Sequence, residues 1–343
     1  MFTAQYVGDR IVDVTPYTPA TPGPGQVRVR IAYVGLCGTD LHIVHGNMDA
    51  RVQRPLTFGH EMSGVIESVG AGVTEWSAGD AVTVMPLDWD DACPACLAGN
   101  QHICQNLNFI GIDSPGALQT LWNVPASTLV RLPGDLALDV GALVEPVAVA
   151  VHDVRRSELV TGDKAVIIGG GPIGLLIASV ARSYGADVLL IEPDAGRRAK
   201  IAALGIATLD PIATDQIAFV EEWTAGSGAD VVFEVSGAAA AVRVATSLAK
   251  VRGTLVIVAI HPTPREIDLQ RVFWRELRLL GARVYQRTDF EEAVRLLQAR
   301  AIATDSVITG VVALDRIPDA VAELEAGRAM KVLVDVTRLD GAA

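Results

Sequence analysis

The sequence has few basic residues, few cysteines and no long apolar run, and each shortage narrows the possible functions. It contains 28 Lys and Arg against 40 Asp and Glu, a net charge of −12. That balance argues against a nucleic-acid backbone or an anionic membrane as the partner. The longest uncharged stretch, residues 165–181, contains four glycines and a proline and falls short of the roughly 18 apolar residues of a membrane-spanning helix. The first residues also lack the charged and apolar regions of a secretory signal, so we expect a cytoplasmic protein that binds neither nucleic acid nor membrane.

Cysteine is scarce, with four in 343 residues. Three of them crowd into one short segment, at Cys93, Cys96 and Cys104, whereas Cys37 stands alone. In a cytosolic protein, three thiols in one small loop suit a metal better than a disulfide framework. A thioredoxin-like redox pair at Cys93 and Cys96 is the other interpretation, but no βαβ pattern surrounds these two residues.

The length, at about 150 residues per domain, predicts two domains. The first third has short strands separated by turns, a pattern typical of a β-barrel or sandwich. From about residue 160, apolar strands alternate with helices, which predicts an α/β fold with a parallel, doubly wound sheet. The predicted strands are 26–31, 64–69, 81–84, 164–168, 187–191, 230–235, 254–258, 277–284 and 330–335.

A glycine-rich segment joins the strand 164–168 to a predicted helix. Gly169-Gly170-Gly171-Pro172-Ile173-Gly174 fits the Gly-x-Gly-x-x-Gly pattern of dinucleotide-binding proteins. Gly169 permits the tight turn, Gly171 lets the backbone approach the pyrophosphate and Gly174 lets helix and strand pack closely. The helix N-terminus, which begins at Pro172 and Ile173, offers free N–H groups to the phosphates, the first of them on Ile173 because proline has none. The alternative is a glycine-rich turn in an ordinary α/β domain.

An acidic residue, Glu192, ends the next predicted strand. An acid about 20 residues after the glycines belongs to the same pattern, because it accepts hydrogen bonds from the ribose. Its charge would repel a 2′-phosphate, which favours NAD over NADP. Arg197 and Arg198 temper that preference, since either guanidinium could accommodate the phosphate.

Residues able to bind a metal occur in three further segments, at Cys37, at His60 and Glu61, and at Glu145. One thiolate, one imidazole and one or two carboxylates are a normal Zn²⁺ ligand set that leaves a position open for substrate. Glu145 lies in residues 140–151, which are otherwise uncharged, so its carboxylate is predicted to be buried beside a partner or a metal. Taken singly, the thiol could be a small core residue, the imidazole a hydrogen-bonded core histidine and Glu61 one half of a salt bridge.

The segment around His60 is the most specific motif. Gly59-His60-Glu61-Met62-Ser63-Gly64, followed by Gly70 and Val73, resembles the zinc signature of the zinc-containing medium-chain alcohol dehydrogenases. Within that family, Glu145-Pro146 with His152, Arg155 and Arg156 resembles the sorbitol (polyol) dehydrogenase-like branch. The resemblance covers essentially the whole chain.

The resemblance implies a domain organisation and a reaction. Residues 1–148 and 285–343 would form a zinc-bearing, GroES-like, partly open β-barrel catalytic domain, and residues 149–284 a Rossmann NAD-binding domain. The enzyme would transfer hydride from a secondary alcohol, namely a polyol, cyclitol, sugar acid or diol, to NAD⁺. The chain would form a homodimer or homotetramer through the candidate edge strand 277–280, which would otherwise stay open.

The resemblance also assigns roles at the catalytic metal. Cys37, His60 and Glu61 would bind a catalytic zinc, and Glu145 would bind it directly or through water. Asp40 would hold His60 in its metal-binding tautomer.

A proton relay is implied nearby. Thr39 would take the proton of the alcohol through its hydroxyl, and His42 would pass it to solvent, with the cofactor ribose between them. The alternatives are a turn after a strand for Thr39 and a surface histidine for His42.

Cys93, Cys96 and Cys104 resemble the structural zinc lobe of the same family, which normally has four cysteines. The first position falls on Asp90 here, and a carboxylate oxygen is an acceptable zinc ligand. A lobe without metal is the alternative. Competing donors are Asp88, Asp91 and His102.

The substrate is the least determined feature. Polyol enzymes of this branch carry an Arg-Tyr pair where this sequence has Val284-Tyr285. The missing arginine counts against sorbitol itself, and Arg283 or Arg287 could either compensate or simply be solvated. The family's substrate pocket would be lined by His45, Asn47 and Phe109. The competing hypotheses are a threonine-type or simple secondary-alcohol dehydrogenase, a zinc-free quinone reductase and a non-catalytic NAD-binding regulator.

Overall fold

The chain divides into two compact units in the computed structural model, which describes residues 1–341. The first unit consists of Met1–Glu145, Gln286–Arg300 and the described residues from Val307 on. The second consists of Pro146–Tyr285 and Ala301–Ser306. The domain limits expected from the sequence stay predictions.

The strands are numbered in chain order. They are β1 Phe2–Gly8, β2 Ile11–Pro16, β3 Gln26–Leu36, β4 Leu56–Thr57, β5 Glu61–Val69, β6 Ala81–Val84, β7 Leu87–Asp88, β8 Asn108–Phe109, β9 Leu121–Pro125, β10 Leu129–Arg131, β11 Lys164–Ile168, β12 Asp187–Ile191, β13 Ala207–Leu209, β14 Ala229–Glu234, β15 Ala249–Ile257, β16 Arg278–Gly281, β17 Ile308–Ala313 and β18 Lys331–Asp335.

The helices are numbered in the same way. They are α1 Gly38–Val44, α2 Pro94–Leu97, α3 Leu138–Gly141, α4 Val144–Ser157, α5 Pro172–Ser183, α6 Ala195–Ala202, α7 Gln216–Trp223, α8 Ala239–Leu248, α9 Leu269–Arg275, α10 Arg287–Gln298, α11 Thr304–Val307 and α12 Ile317–Glu325, with short 3₁₀ turns at Gln101–Ile103, Ala126–Thr128 and Leu314–Arg316.

The first unit is built on a seven-stranded sheet in the order β10-β6-β5-β3-β18-β17, with β9 also pairing with β3. Its central strand β3 begins with polar and apolar residues in alternation, and the apolar Val27, Val29 and Ile31 are fully buried. The strand pairs with β5 on one side and with β18 on the other. Residues at the end of β3 therefore lie beside the start of β5 and the start of β18.

The second unit is a six-stranded parallel sheet in the order β13-β12-β11-β14-β15-β16. Its central strands are buried apolar runs, as a sheet covered on both faces requires. The strand order reverses between β11 and β14, and ligands of such sheets bind at the carboxyl ends of the strands at this point. The predicted α/β fold class with a doubly wound parallel sheet is confirmed.

Among residues 1–341, no helix is both long enough and apolar enough to cross a membrane.

Candidate metal and cofactor sites

Three predicted metal ligands come together in the first unit. The donor atoms of Cys37, His60 and Glu61 all lie within 4.8 Å of one another, and Cys37 Sγ is 3.3 Å from His60 Nε2. Cys37 follows β3 and precedes α1, while His60 stands directly before β5. Because β3 and β5 are paired antiparallel, the end of one strand meets the beginning of the other.

The two nitrogens of His60 face different partners. Nε2 faces the Cys37 sulfur, and Nδ1 lies 3.6 Å from Oδ1 of the buried Asp40. Asp40 is itself fixed, because its Oδ2 accepts a 2.9 Å hydrogen bond from the backbone N–H of Cys37. The edge of Phe109 packs on the imidazole at 5.3 Å between ring centroids. This leaves Nε2 as the nitrogen available to a metal.

The charges around His60 attract a cation. Burial alone would lower the pKa of His60, but the charges of Cys37 and Asp40 outweigh burial and hold this pKa well above its ordinary value. Burial raises the pKa of the Cys37 thiol. Sulfur and nitrogen ligands of one tetrahedral zinc stand roughly 3.6 Å apart, so the observed 3.3 Å fits a metal between them after a small adjustment. The donor set is therefore suited to zinc.

Glu61 has an ion-pair partner that the sequence did not predict. Lys331 Nζ donates to both carboxylate oxygens, at 2.7 Å to Oε1 and 2.6 Å to Oε2. Both side chains are only 2 % exposed. The salt bridge considered as an alternative for Glu61 is thus present, in addition to its position in the metal-binding group. The available signal was a lysine at the start of β18, next to three apolar residues.

Glu145 is buried, as its apolar surroundings predict, at 5 % exposure in the first turn of α4. It is not in the group of donors that lie within 4.8 Å of one another, but its charge acts on His60.

Thr39 and His42 lie three positions apart in α1, which places them on one side of the helix. Thr39 is half-buried and His42 is exposed. Nδ1 of His42 is 3.2 Å from the side-chain amide of Asn47. His45, one of the expected pocket residues, is instead bonded to Glu325.

A second group of donors consists of Asp90, Cys93, Cys96 and Cys104, again within 4.8 Å of one another. Cys93 Sγ is 3.6 Å from Cys96 Sγ and 3.8 Å from Cys104 Sγ. Thiolates on one tetrahedral zinc stand roughly 3.8 Å apart, so this spacing fits a shared metal.

Two hydrogen bonds favour the ionised forms of these donors. The backbone N–H of Gln105 donates to Cys93 Sγ and lowers the pKa of this thiol. The side-chain amide of Asn106 donates to Asp90 Oδ2 at 2.6 Å and lowers the pKa of this carboxyl. Of the four candidates for the fourth position, Asp90 is the one that the structure brings to the three sulfurs.

The glycine-rich loop lies in the second unit, between β11 and α5. Gly169 has φ +116°, a conformation that side chains disfavour. A Cβ on Gly174 would lie 1.9 Å from the carbonyl oxygen of Gly169, so only glycine fits there. A Cβ on Gly171, by contrast, would meet nothing within 4 Å. The loop therefore presents open backbone where a pyrophosphate approaches such a helix.

Glu192 lies against this loop and is 4 % exposed. Its Oε2 accepts a 2.7 Å hydrogen bond from Gly170 N and its Oε1 a 2.8 Å bond from Asp194 N. Each carboxylate oxygen keeps a second lone pair for a further donor. Arg198 is committed to the Glu192 carbonyl oxygen and to Asp210. Asp194 caps α6, because its side chain accepts a hydrogen bond from the backbone N–H of the half-buried Arg197.

The arginines considered for the substrate differ in their surroundings. Arg287 donates to the carbonyl oxygens of Ser127 and Leu129, so it holds the β-rich unit together. Arg283 is exposed.

Two families match the chain. Residues 23–134 match the alcohol dehydrogenase GroES-like domain, and residues 172–299 match the zinc-binding dehydrogenase family. A 2-dehydro-3-deoxy-L-galactonate 5-dehydrogenase of Pseudoalteromonas atlantica is 50 % identical over 336 residues, 98 % of each chain. A sorbitol dehydrogenase of Halalkalibacterium halodurans is 31 % identical over 92 % of each.

Solved structures of dehydrogenases are also similar to this chain. A zinc-binding dehydrogenase from Sinorhizobium meliloti bound to NADP is 33 % identical, with a TM-score of 0.91 over 97 % of this chain and 98 % of that one. The 2R,3R-butanediol dehydrogenase of Bacillus subtilis is 30 % identical, with a TM-score of 0.90 over 97 % and 99 %. The chain is therefore a dehydrogenase of small-molecule alcohols that uses zinc and a nicotinamide cofactor, and it belongs to the zinc-containing medium-chain alcohol dehydrogenase family.

Proposed function

We propose that this enzyme oxidises a secondary hydroxyl of a sugar acid, with Cys37, His60 and Glu61 as ligands of the catalytic zinc and Glu145 as a ligand bound directly or through water. One observation carries the substrate class, namely 50 % identity over 98 % of both chains to a dehydrogenase of a deoxygalactonate. Polyol and diol dehydrogenases are more distant, at 31 % and 33 % identity.

The side chains around the proposed zinc have different roles. When bound, zinc polarises the alcohol and lowers its pKa. The Cys37 thiolate and His60 Nε2 hold the ion from two sides, and their 3.3 Å separation supports this assignment. Asp40, 3.6 Å from Nδ1, keeps the His60 proton on that nitrogen and leaves Nε2 free to ligate. His60 and Glu61 are almost fully buried, which strengthens each electrostatic interaction.

The proton leaves along α1. Thr39 accepts it through its hydroxyl, and His42, one turn further and exposed, delivers it to solvent. The family resemblance implies that a ribose hydroxyl of the bound cofactor would link these two residues.

NAD⁺ supplies the hydride acceptor when bound. Gly169, Gly171 and Gly174 shape the loop that would hold its pyrophosphate, with Pro172 opening the helix and the backbone N–H of Ile173 as a free donor. Glu192 accepts a ribose hydroxyl and disfavours a 2′-phosphate, so we infer a preference for NAD over NADP. Arg197, at the start of α6, is the residue that would moderate this preference.

A second zinc stabilises the lobe around α2. Its ligands are Asp90, Cys93, Cys96 and Cys104, whose spacing supports the assignment. All four cysteines of the chain are free thiols, which suits a reducing compartment, and we infer a cytoplasmic location.

The enzyme assembles as a homodimer or homotetramer through the second unit. β16 is the last strand on one side of the six-stranded sheet. Nearby, Phe273 and Trp274 of α9 are 72 % and 73 % exposed. An open edge beside exposed aromatic residues favours pairing with a second copy. Light scattering of the purified protein measures the mass directly.

A substrate panel tests the proposed function. NADH formation is measured with 2-keto-3-deoxy sugar acids, aldonates, sorbitol, xylitol and 2,3-butanediol, each with and without a strong chelator. We expect chelator-sensitive turnover that is fastest on the sugar acids. Faster turnover of a polyol or diol would reject the sugar-acid assignment, and turnover insensitive to the chelator would reject the zinc mechanism.

A further inference from the structure

Lys331 is a charged residue at the start of an apolar strand. It is 2 % exposed, and Val332, Leu333 and Val334 follow it in β18. A buried ammonium group must have hydrogen-bond partners for its three protons. Nζ finds them in both oxygens of Glu61 and in the carbonyl oxygen of Leu36, at 3.1 Å.

The sheet is shaped around this pair. Gly35 of β3 lies opposite Glu61 on one side and opposite Leu333 on the other. A Cβ on Gly35 would lie 2.3 Å from Glu61 Oε2. The missing side chain thus leaves the space in which the Glu61 carboxylate turns toward Lys331.

The hydrogen bonds from Lys331 reduce the ability of the Glu61 carboxylate to bind a metal. A carboxylate whose two oxygens are both held by an ammonium group at 2.6 and 2.7 Å is a weaker donor than a free one. The charge of Lys331 also acts on those of Cys37 and Glu145. Lys331 therefore offsets part of the negative charge that these three residues and Asp40 bring to the site.

We propose that Lys331 is a positioning residue that limits Glu61 to a weak bond with the catalytic zinc. By restraining one carboxylate, it keeps a coordination position open for the alcohol and preserves the positive charge that polarises it. This inference rests on the proposed assignment of Cys37, His60 and Glu61 to the catalytic zinc.

The test replaces zinc with Co²⁺, whose visible absorption weakens as its coordination number rises. In Lys331→Met, Glu61 is released toward the metal, so we expect a weaker Co²⁺ band and slower loss of zinc to a chelator, by at least about tenfold. The kcat should fall while the affinity for NADH is retained. Lys331→Arg, which keeps the charge, should restore the spectrum in large part.

A double variant separates positioning from folding. If Lys331 acts through Glu61, then Lys331→Met should change neither the spectrum nor the zinc release when Glu61→Gln is already present. This neutral pair also avoids a buried unpaired carboxylate if the single variant does not fold. A wild-type spectrum in Lys331→Met, or a change that persists in the Glu61→Gln background, would overturn the inference.

The variant Cys37→Ser distinguishes a wrong role for Lys331 from a wrong assignment of the zinc ligands. If wild type and Cys37→Ser bind the same amount of Co²⁺ with the same spectrum, the ligand assignment itself is wrong. If they differ and Lys331→Met matches wild type, only the role of Lys331 is wrong.

Discussion

The Cys37 sulfur lies 3.3 Å from Nε2 of His60, although 23 positions separate the two residues in the sequence. The antiparallel pairing of β3 with β5 produces this contact, because Cys37 follows one strand and His60 precedes the other. The proposed metal site therefore depends on sheet register as much as on the identity of its expected ligands.

Replacing Cys37 separates catalysis from cofactor binding. We expect Cys37→Ser to reduce kcat by at least about 10³-fold, because a neutral hydroxyl is a poor replacement for a thiolate ligand. The affinity for NADH should change little, since the glycine-rich loop belongs to the other compact unit. Fluorescence titration with NADH gives the affinity, and steady-state kinetics give kcat. Equal loss of both would mean that Cys37 is structural.

The proposed proton relay requires the hydroxyl of Thr39. We expect Thr39→Val, which keeps the shape, to lower kcat by about 10²-fold or more, the usual contribution of a positioned acid–base group. Thr39→Ser keeps the hydroxyl and serves as the matched control. Similar activities in the two variants would remove Thr39 from the relay.

The proposed role of Glu192 is to favour NAD over NADP. Glu192→Gln removes the charge and keeps an acceptor for Gly170 N or Asp194 N, whereas Glu192→Ala removes both functions. We expect the ratio of kcat/KM for NAD⁺ to that for NADP⁺ to fall in both variants, with KM for NAD⁺ higher in the alanine variant. An unchanged ratio would show that the ribose is recognised elsewhere.

The proposed zinc of the lobe around α2 is expected to contribute stability rather than chemistry. We expect Cys96→Ser to lower the zinc content from two ions to one per chain and to lower Tm, because structural zinc sites contribute folding free energy. Asp90→Ala should have a smaller effect of the same sign, and kcat at low temperature should stay close to wild type. Two zinc ions in Cys96→Ser would contradict this assignment.

The local pattern predicted strands well where apolar runs end at turns. Residues 81–84, 164–168 and 187–191 were predicted as strands and are β6, β11 and β12 with these bounds. The strand predicted over 277–284 was too long, since β16 ends at Gly281 and Val284 has φ +52°, which no extended strand contains.

Other differences come from tertiary pairing. β3 continues to Leu36, five residues beyond the alternating pattern, through a register shift between Ile31 and Tyr33. A bulge of this kind breaks the period of two, so periodicity alone could not extend the strand.

The residues of the metal site were predicted, but not their electrostatic surroundings. Cys37, His60 and Glu61 are recognisable because their residue types suit zinc and one short motif contains two of them. Lys331 lies 270 positions from Glu61, and only the sheet brings them together. Its single visible signal was a lysine next to three apolar residues, which predicts a buried partner without naming it.

Removal and return of zinc test the central claim most directly. The zinc content and the rate of NADH formation are measured for the enzyme as purified, after dialysis against a strong chelator and after zinc is restored, with Cys37→Ser treated in parallel. We expect activity to follow the zinc lost and regained by wild type, and Cys37→Ser to hold one zinc fewer and remain inactive throughout. Undiminished turnover by zinc-free wild-type enzyme would contradict the account.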